Sequence, residues 1–257
     1  MSDWVQTGIG RAEPDAIVIR GRDLAGELMG KVTFTELTFL LVQGREPSPG
    51  ETALLDAVLV SLADHGLTPT ALAARLTYTG APESLQGAVA AGLLGSGTVF
   101  LGVVEDTAAF LEPVVAEAGG ADASDDRLAA AARAAVQARL AEGGRIPGLG
   151  HPVHKQVDPR TPRMYEIAEQ HGVLGAHLRA LRLVADAHRE LSGRALPING
   201  AGVGGAALAD LGFPSRIVRG FALIARSAGL VAHLAEEMDR PLGMPLFLEV
   251  DERSRRV

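Results

Sequence analysis

Between residues 34 and 238, almost every apolar segment repeats with the 3.6-residue period of a helix and stops at glycine or proline. That pattern predicts helices over 34–42 (closed by Gly44), 51–64, 70–76, 83–94, 99–118, 124–142, 162–171, 174–191, 205–211 and 214–238. The stretch at 51–64 follows a Pro-Gly pair, 99–118 ends in Gly-Gly, and 124–142 opens on Ser-Asp-Asp, a cap followed by an acidic first turn. Only IVIRGR at 17–22 reads as a short strand or turn. The chain is 47% hydrophobic but only 4% aromatic, so its core must be Ala, Leu and Val, which suits closely packed helices. With 257 residues it can form one large domain or two modest ones. The expectation is an all-α chain without internal repeats or a low-complexity linker.

Composition removes several classes of function. A net charge of −7 argues against nucleic acid as partner, so an anionic ligand must meet a local basic cluster. The absence of cysteine excludes disulfides, thiolate metal sites and cysteine nucleophiles. The opening MSDWVQTGIGRAEPD has no basic segment followed by an apolar run, so no signal peptide is expected. No stretch reads as the roughly 18 charge-poor apolar residues of a membrane span. A cytoplasmic protein without a membrane partner is the expectation. GAGVGG at 200–205 fits the GxGxxG dinucleotide fingerprint, but it lacks the alternating strands that give the pattern meaning. Neither a zinc-binding HExxH nor a Gly-x-Ser-x-Gly elbow is present, and no close His/Asp spacing suggests a metal.

The chemistry concentrates in IPGLGHPVHKQVDPRTPR, residues 146–163. His151 follows a Pro-Gly-Leu-Gly turn whose glycines let backbone approach a ligand. Lys155 and Arg160 follow, an ammonium suited to phosphate and a guanidinium fork suited to a carboxylate. On its own the stretch also reads as a solvated loop with surface charges. His65, in Ala-Asp-His-Gly, lies just past a helix end, where a simple capping role is the alternative. Arg226 sits inside the apolar run FALIARSAGLVAH, where burial requires an anionic partner from the protein or from a ligand. His233 shares its face and reads as structural. Arg240, before Pro241, faces either a neighbouring subunit or water.

Together these stretches resemble the citrate synthase superfamily, and most of all its citryl-CoA lyase branch. IVIRGRDLAGELMGKVTFTELTFLLVQGREPS resembles the family's opening stretch, SLADHGLTPTALAAR its ADHG segment, PGLGHPVHKQVDPR its PGxGHxVxxxxDPR motif, and IARSAGLVAHLAEE its ARxxGxxAH helix. The resemblance implies a two-domain helical homodimer or higher even oligomer. Residues 1–99 and 206–257 would form the larger, dimerising domain and 100–205 a smaller domain closing over CoA. It implies that His151 polarises the ketone or tertiary alcohol oxygen and that His65 contacts the oxo-acid portion. Arg160, Arg226, Arg240 and Asn199 would hold substrate carboxylates. Lys155 would meet a CoA phosphate, and the Pro147, Gly148, Leu149, Gly150 turn would offer backbone to the adenine. No permanently bound cofactor and no metal is implied; a CoA thioester is the substrate, beside a polycarboxylate.

Two departures stand out. Aligning GLLGSGTVFLGVVED with the family's Leu-His-Gly-Gly motif places Phe100 where a histidine stabilises the acetyl-CoA enolate. Aligning LPINGAGVGG with its Asn-Val-Asp-Gly stretch places Ala201 where an aspartate moves the proton. The lyase branch also tends to lack the histidine, so cleavage of a citryl-CoA-type thioester to acyl-CoA and keto acid is the leading expectation. Water, Glu105 or Asp106 would then supply the proton. Retro-aldol or decarboxylation chemistry on another polycarboxylate, and a non-catalytic polycarboxylate- or CoA-binding paralogue, are the alternatives.

Overall fold

The computed structural model describes residues 7–255. Four of its helices, those beginning at Phe34, Pro49, Pro69 and Gly200, start at side-chain caps that the sequence supplies. Thr33 and Glu36 close a reciprocal capping box on α1 (Phe34–Gln43), and Ser48 and Glu51 do the same for α2 (Pro49–Ala63). Thr68 caps α3 (Pro69–Gly80), with proline at the first helical position as in α2. Gly44 ends α1 in the left-handed conformation, and Gly119 does so for α5 (Val103–Ala118). Between them lies α4 (Leu85–Leu94), and the chain continues through α6 (Asp125–Ala141), α7 (Arg160–Gln170), α8 (Ala176–Ser192), α9 (Gly200–Asp210), α10 (Ser215–Asp239) and α11 (Gly243–Ser254).

The all-helical expectation holds apart from the N-terminal region. There β1 (Gly10–Ala12), β2 (Ile17–Ile19) and β3 (Arg22–Asp23) form a small antiparallel sheet in that order, with Gly10 opposite Ile19 and Val18 opposite Asp23. The predicted 17–22 element is the second hairpin of this sheet, turning at Arg20 and Gly21, both at positive φ. One wide helical turn, Leu24–Leu28, links it to α1.

Three sequence expectations need correction. Residues 99–102 are a turn, and α5 begins only at Val103. The helix predicted from 205 begins at Gly200, so GAGVGG is the first half of α9 and not a phosphate-cradling loop. Two of its first-turn N–H groups are already taken: Gly200 donates to Asp158 Oδ2 (2.8 Å) and Gly202 to Asn199 Oδ1 (2.8 Å). Finally, α10 is long and apolar enough, by length and composition, to cross a membrane. One face of it is core, with Val218, Phe221, Ala222, Leu230 and Leu234 buried, while Ile217, Ile224, Val231 and Met238 are exposed.

The main core runs from Phe39, Leu54 and Leu55 through Val104, Leu111, Leu128 and Leu181 to Leu208 and Phe221. Small residues set the spacing at its centre. A Cβ on Gly202 would stand 2.5 Å from the Gly148 Cα, so α9 can lie against the 146–150 turn only with glycine there. A second cluster (Ala74, Ala88, Leu230 and Leu234) packs α3 and α4 on the far half of α10. The end of α2, the turn before α5, the 146–160 loop, the start of α9 and the middle of α10 all border one cavity.

Candidate active site

That cavity, about 410 Å³, brings together His65, His151, Arg160, Asn199, Arg226, Phe100 and Ala201. These seven come from sites up to 161 positions apart in the chain, and the sequence reading had singled out each of them.

His151 stands on a loop that fixes its protonation. Its Nδ1 accepts the backbone N–H groups of Val153 (3.1 Å) and His154 (3.0 Å), so the proton of the neutral ring lies on Nε2. Burial, and then the neighbouring His154, hold its pKa below the ordinary imidazole value. The result is a neutral ring whose only N–H is Nε2–H, a donor suited to a developing oxyanion. His154 stacks on it at 4.5 Å between ring centroids, and His65 lies 5.5 Å from it. One nitrogen from each of these histidines falls within 4.8 Å of the others, the spacing of a metal site. The tautomer argues against that use, because Nε2 carries a proton and the Nδ1 lone pair already serves two N–H groups.

Arg160 opens α7 and is held from behind. Asp158, 1% exposed, accepts Arg160 Nε at 2.9 Å and Nη2 at 2.7 Å in a bidentate pair, and it also accepts the N–H groups of Arg160 and Gly200. Burial alone would push this carboxyl up; the guanidinium and the Gly200 N–H outweigh it and bring the pKa to about 2. Nη1 remains, with one long contact to the Ser61 carbonyl (3.4 Å). Gly200 leaves room for the arrangement, since a Cβ there would lie 2.1 Å from Arg160 Nε.

Arg226 is 6% exposed and makes no ion pair among the described residues. It donates to the Leu62 carbonyl from Nη2 (3.1 Å) and Nε (3.3 Å), and Nη1 reaches the Thr68 hydroxyl at 3.4 Å. Burial pulls its pKa below the usual guanidinium value, against the attraction of Asp64. A buried cation satisfied only by neutral oxygens retains capacity for an anionic partner. His233 is structural, bonded to Asp64 at 2.9 Å.

The remaining sequence candidates fall elsewhere. Asn199 borders the cavity, but its side chain caps α9 and donates to the Gly150 carbonyl (2.8 Å). The Pro147–Gly150 turn pairs its backbone with 197–199: Gly150 N–H donates to the Pro197 carbonyl and Asn199 N–H to the Gly148 carbonyl. Of that turn only Gly150 borders the cavity. Lys155 donates to the His151 carbonyl at 3.2 Å from an exposed position outside the cavity. Arg240 is exposed at the end of α10, also outside it. Glu105 pairs with Arg219 at 2.6 Å, and neither it nor Asp106 borders the cavity, so neither is placed to deliver a proton there. Asp158 was overlooked as a separate contributor; its place two residues before Arg160 was the available signal.

Comparison with known proteins identifies the family. The family model of the citrate synthase C-terminal domain matches residues 20–244. The chain belongs to the citrate synthase family. Within it, the chain is 33% identical to citryl-CoA lyase from Hydrogenobacter thermophilus, with a TM-score of 0.83 over 92% of this chain and 88% of that one. ATP citrate lyase from Methanothrix soehngenii, solved with citrate and coenzyme A, shares the fold at 20% identity (TM-score 0.75), covering 93% of this chain and 39% of its own. Citrate synthase from Acidithiobacillus ferridurans is 25% identical over 228 residues, 84% of this chain and 55% of its own, so the chain spans about half the length of that curated relative. The citrate synthase fold therefore accompanies a site in which Ala201 and Phe100 are apolar.

Proposed function

We infer that the chain is a carbon–carbon lyase that cleaves a citryl-CoA-type thioester to an acyl-CoA and a keto acid. The observation that carries the reading is the neutral His151, its only N–H on Nε2, in one cavity with the guanidinium groups of Arg160 and Arg226. The arginines hold substrate carboxylates. His151 donates to the carbinol oxygen as charge builds on it.

A proton must leave the hydroxyl and another must reach the departing carbon. His151 does not accept it, because its Nδ1 is occupied and its Nε2 is protonated. The guanidinium groups do not titrate in the working range. Among the residues bordering the cavity this leaves His65. The hydroxyl proton passes to His65, the carbon–carbon bond breaks with its electrons entering the thioester enolate, the oxygen becomes the keto group, and His65 returns the proton to the enolate carbon. The proposal includes a second copy of the chain against Met238, Met244, Phe247 and Leu248, which a single chain leaves exposed on α10 and α11.

A coupled assay for acyl-CoA and keto acid released from citryl-CoA tests this reading. Turnover by the wild type is expected, with a loss of about 10²-fold in kcat for His65→Ala and a smaller change in KM. Tight binding of citrate without turnover would replace the lyase by a binding role.

Arg226→Met separates binding from stability. Removing a buried cation that lacks a carboxylate partner leaves stability unchanged or raises it by about 1 kcal/mol in chemical denaturation. The same change is expected to weaken citrate binding by roughly 10–100-fold, as for loss of a charged hydrogen bond. A variant that lost stability and kept citrate affinity would show Arg226 to be structural.

A further inference from the structure

Three residues of α10, each a helical turn from the next, grip three consecutive residues at the end of α2. Arg226 donates to the Leu62 carbonyl at 3.1 Å. Gly229 lies so close that a Cβ there would stand 2.2 Å from the Ala63 carbonyl oxygen. His233 donates from Nε2 to Asp64 Oδ1 at 2.9 Å. Spacings of three and four put all of them on one stripe of the helix. What they hold is the turn that carries His65. Asp64, extended just past α2, takes the Gly66 N–H on its other oxygen at 2.8 Å, and Gly66 sits at φ +75°, which glycine adopts without strain. The His65 ring itself makes no hydrogen bond among the described residues; its ring neighbours are His151 at 5.5 Å and His154 at 6.1 Å between centroids. Its place on the cavity is therefore set by backbone, and that backbone hangs on the Asp64 carboxylate.

With 48% of its side chain exposed, Asp64 has little packing to keep it from turning; the imidazole of His233, 12% exposed, is its fixed point. Burial alone would raise the Asp64 carboxyl; the Gly66 N–H and then His233 outweigh it and hold the pKa below the ordinary value, so the acceptor stays ionised. The bond from His233 thus does more than tie α10 to α2. We propose that His233 is a positioning residue for the cleavage: through Asp64 it fixes the turn that presents His65 to the substrate. The proposal rests on the proton transfer by His65 inferred above. A proton moves only within hydrogen-bond reach, and a misplacement of about 1 Å costs on the order of 10²-fold in rate. Losing one of the two ties on Asp64 loosens the turn without breaking it, so about tenfold is expected.

The test is a double-variant cycle on citryl-CoA cleavage. His233→Phe keeps an aromatic ring without the donor, and His233→Gln keeps a donor without the ring. His233→Phe is expected to lower kcat about tenfold, with KM and calorimetric citrate affinity within about twofold of the wild type, and His233→Gln to recover most of that loss. In a His65→Ala background His233→Phe should cost nothing further, because the residue it aims is gone. Should His233→Phe fail to fold, His233→Ala takes its place in the cycle. An equal loss in both backgrounds, a loss of citrate affinity in place of kcat, or no loss at all overturns positioning through His65. A wild type that cleaves citryl-CoA and loses kcat in His65→Ala leaves the lyase standing whatever His233 does. No cleavage by the wild type overturns both.

Discussion

Replacing His151 by alanine is expected to lower kcat for thioester cleavage by about 10²–10³-fold, as removal of one preorganised oxyanion donor does in other enzymes. The carboxylates would still be held by Arg160 and Arg226, so KM should change much less. The folded chain should survive, because His151 is only part-buried and its ring lies on the cavity. Steady-state kinetics beside a denaturation curve separates the two effects. Equal losses in kcat and stability would mean that the ring props up the loop and does not act on the substrate.

A pH dependence follows from the same hydrogen bonds. Protonating Nδ1 breaks its contacts with the Val153 and His154 N–H groups, and burial holds the folded-state pKa below the ordinary imidazole value. Above that ordinary value the ring is neutral in both folded and unfolded chains and contributes nothing to the pH dependence. As pH falls below it, the unfolded chain binds the proton first and stability declines. Cleavage should fall with it as the 151–154 loop loses these bonds, read from a pH profile of kcat beside the same profile of thermal midpoint.

Asp158→Ala is expected to cost about 3–5 kcal/mol of stability, as for a buried ion pair stripped of one partner. The carboxylate holds Arg160 by two bonds and receives the Gly200 N–H at the start of α9, so its loss strands a guanidinium and a helix terminus together. The double variant Asp158→Ala with Arg160→Met should recover part of the loss, since no cation is then left unpaired. Both variants should lose citrate binding, the first because Arg160 is no longer aimed and the second because it is gone. Wild-type stability carries the same signature. With the folded-state pKa at about 2 against an ordinary 3.8, Asp158 supplies roughly 2 kcal/mol that is fully present above the ordinary value and lost as pH falls through about 2. Urea denaturation across that window in wild type and Asp158→Asn checks the sign: the wild type should lose roughly 2 kcal/mol more than the variant as pH falls.

What the sequence determined by itself was local. Helix periods, caps such as Ser48 with Glu51, and C-terminal glycines act over a few residues, and they place most helices within a few positions of where they lie. The same locality explains the misses. Gly200 to Gly205 has poor helix propensity, so the sequence predicts α9 from 205 only; packing of Gly202 against Gly148 and of Gly205 against Val104 demands glycine there and overrides propensity. The α11 helix escaped notice because among its residues only Gly243 is buried, leaving little apolar period to read. His65, His151, Arg160 and Arg226 were legible because their motifs carry rare residue types at fixed spacing. The tertiary structure alone decided what each one touches. The tautomer of His151 depends on how its loop folds back, Arg226 is satisfied by a carbonyl 164 residues away, and Asp158 spans 42 residues to reach α9. Such partners meet only when the helices pack, because a hydrogen bond is a matter of distance in space and sequence spacing sets that distance only within a turn or two of chain.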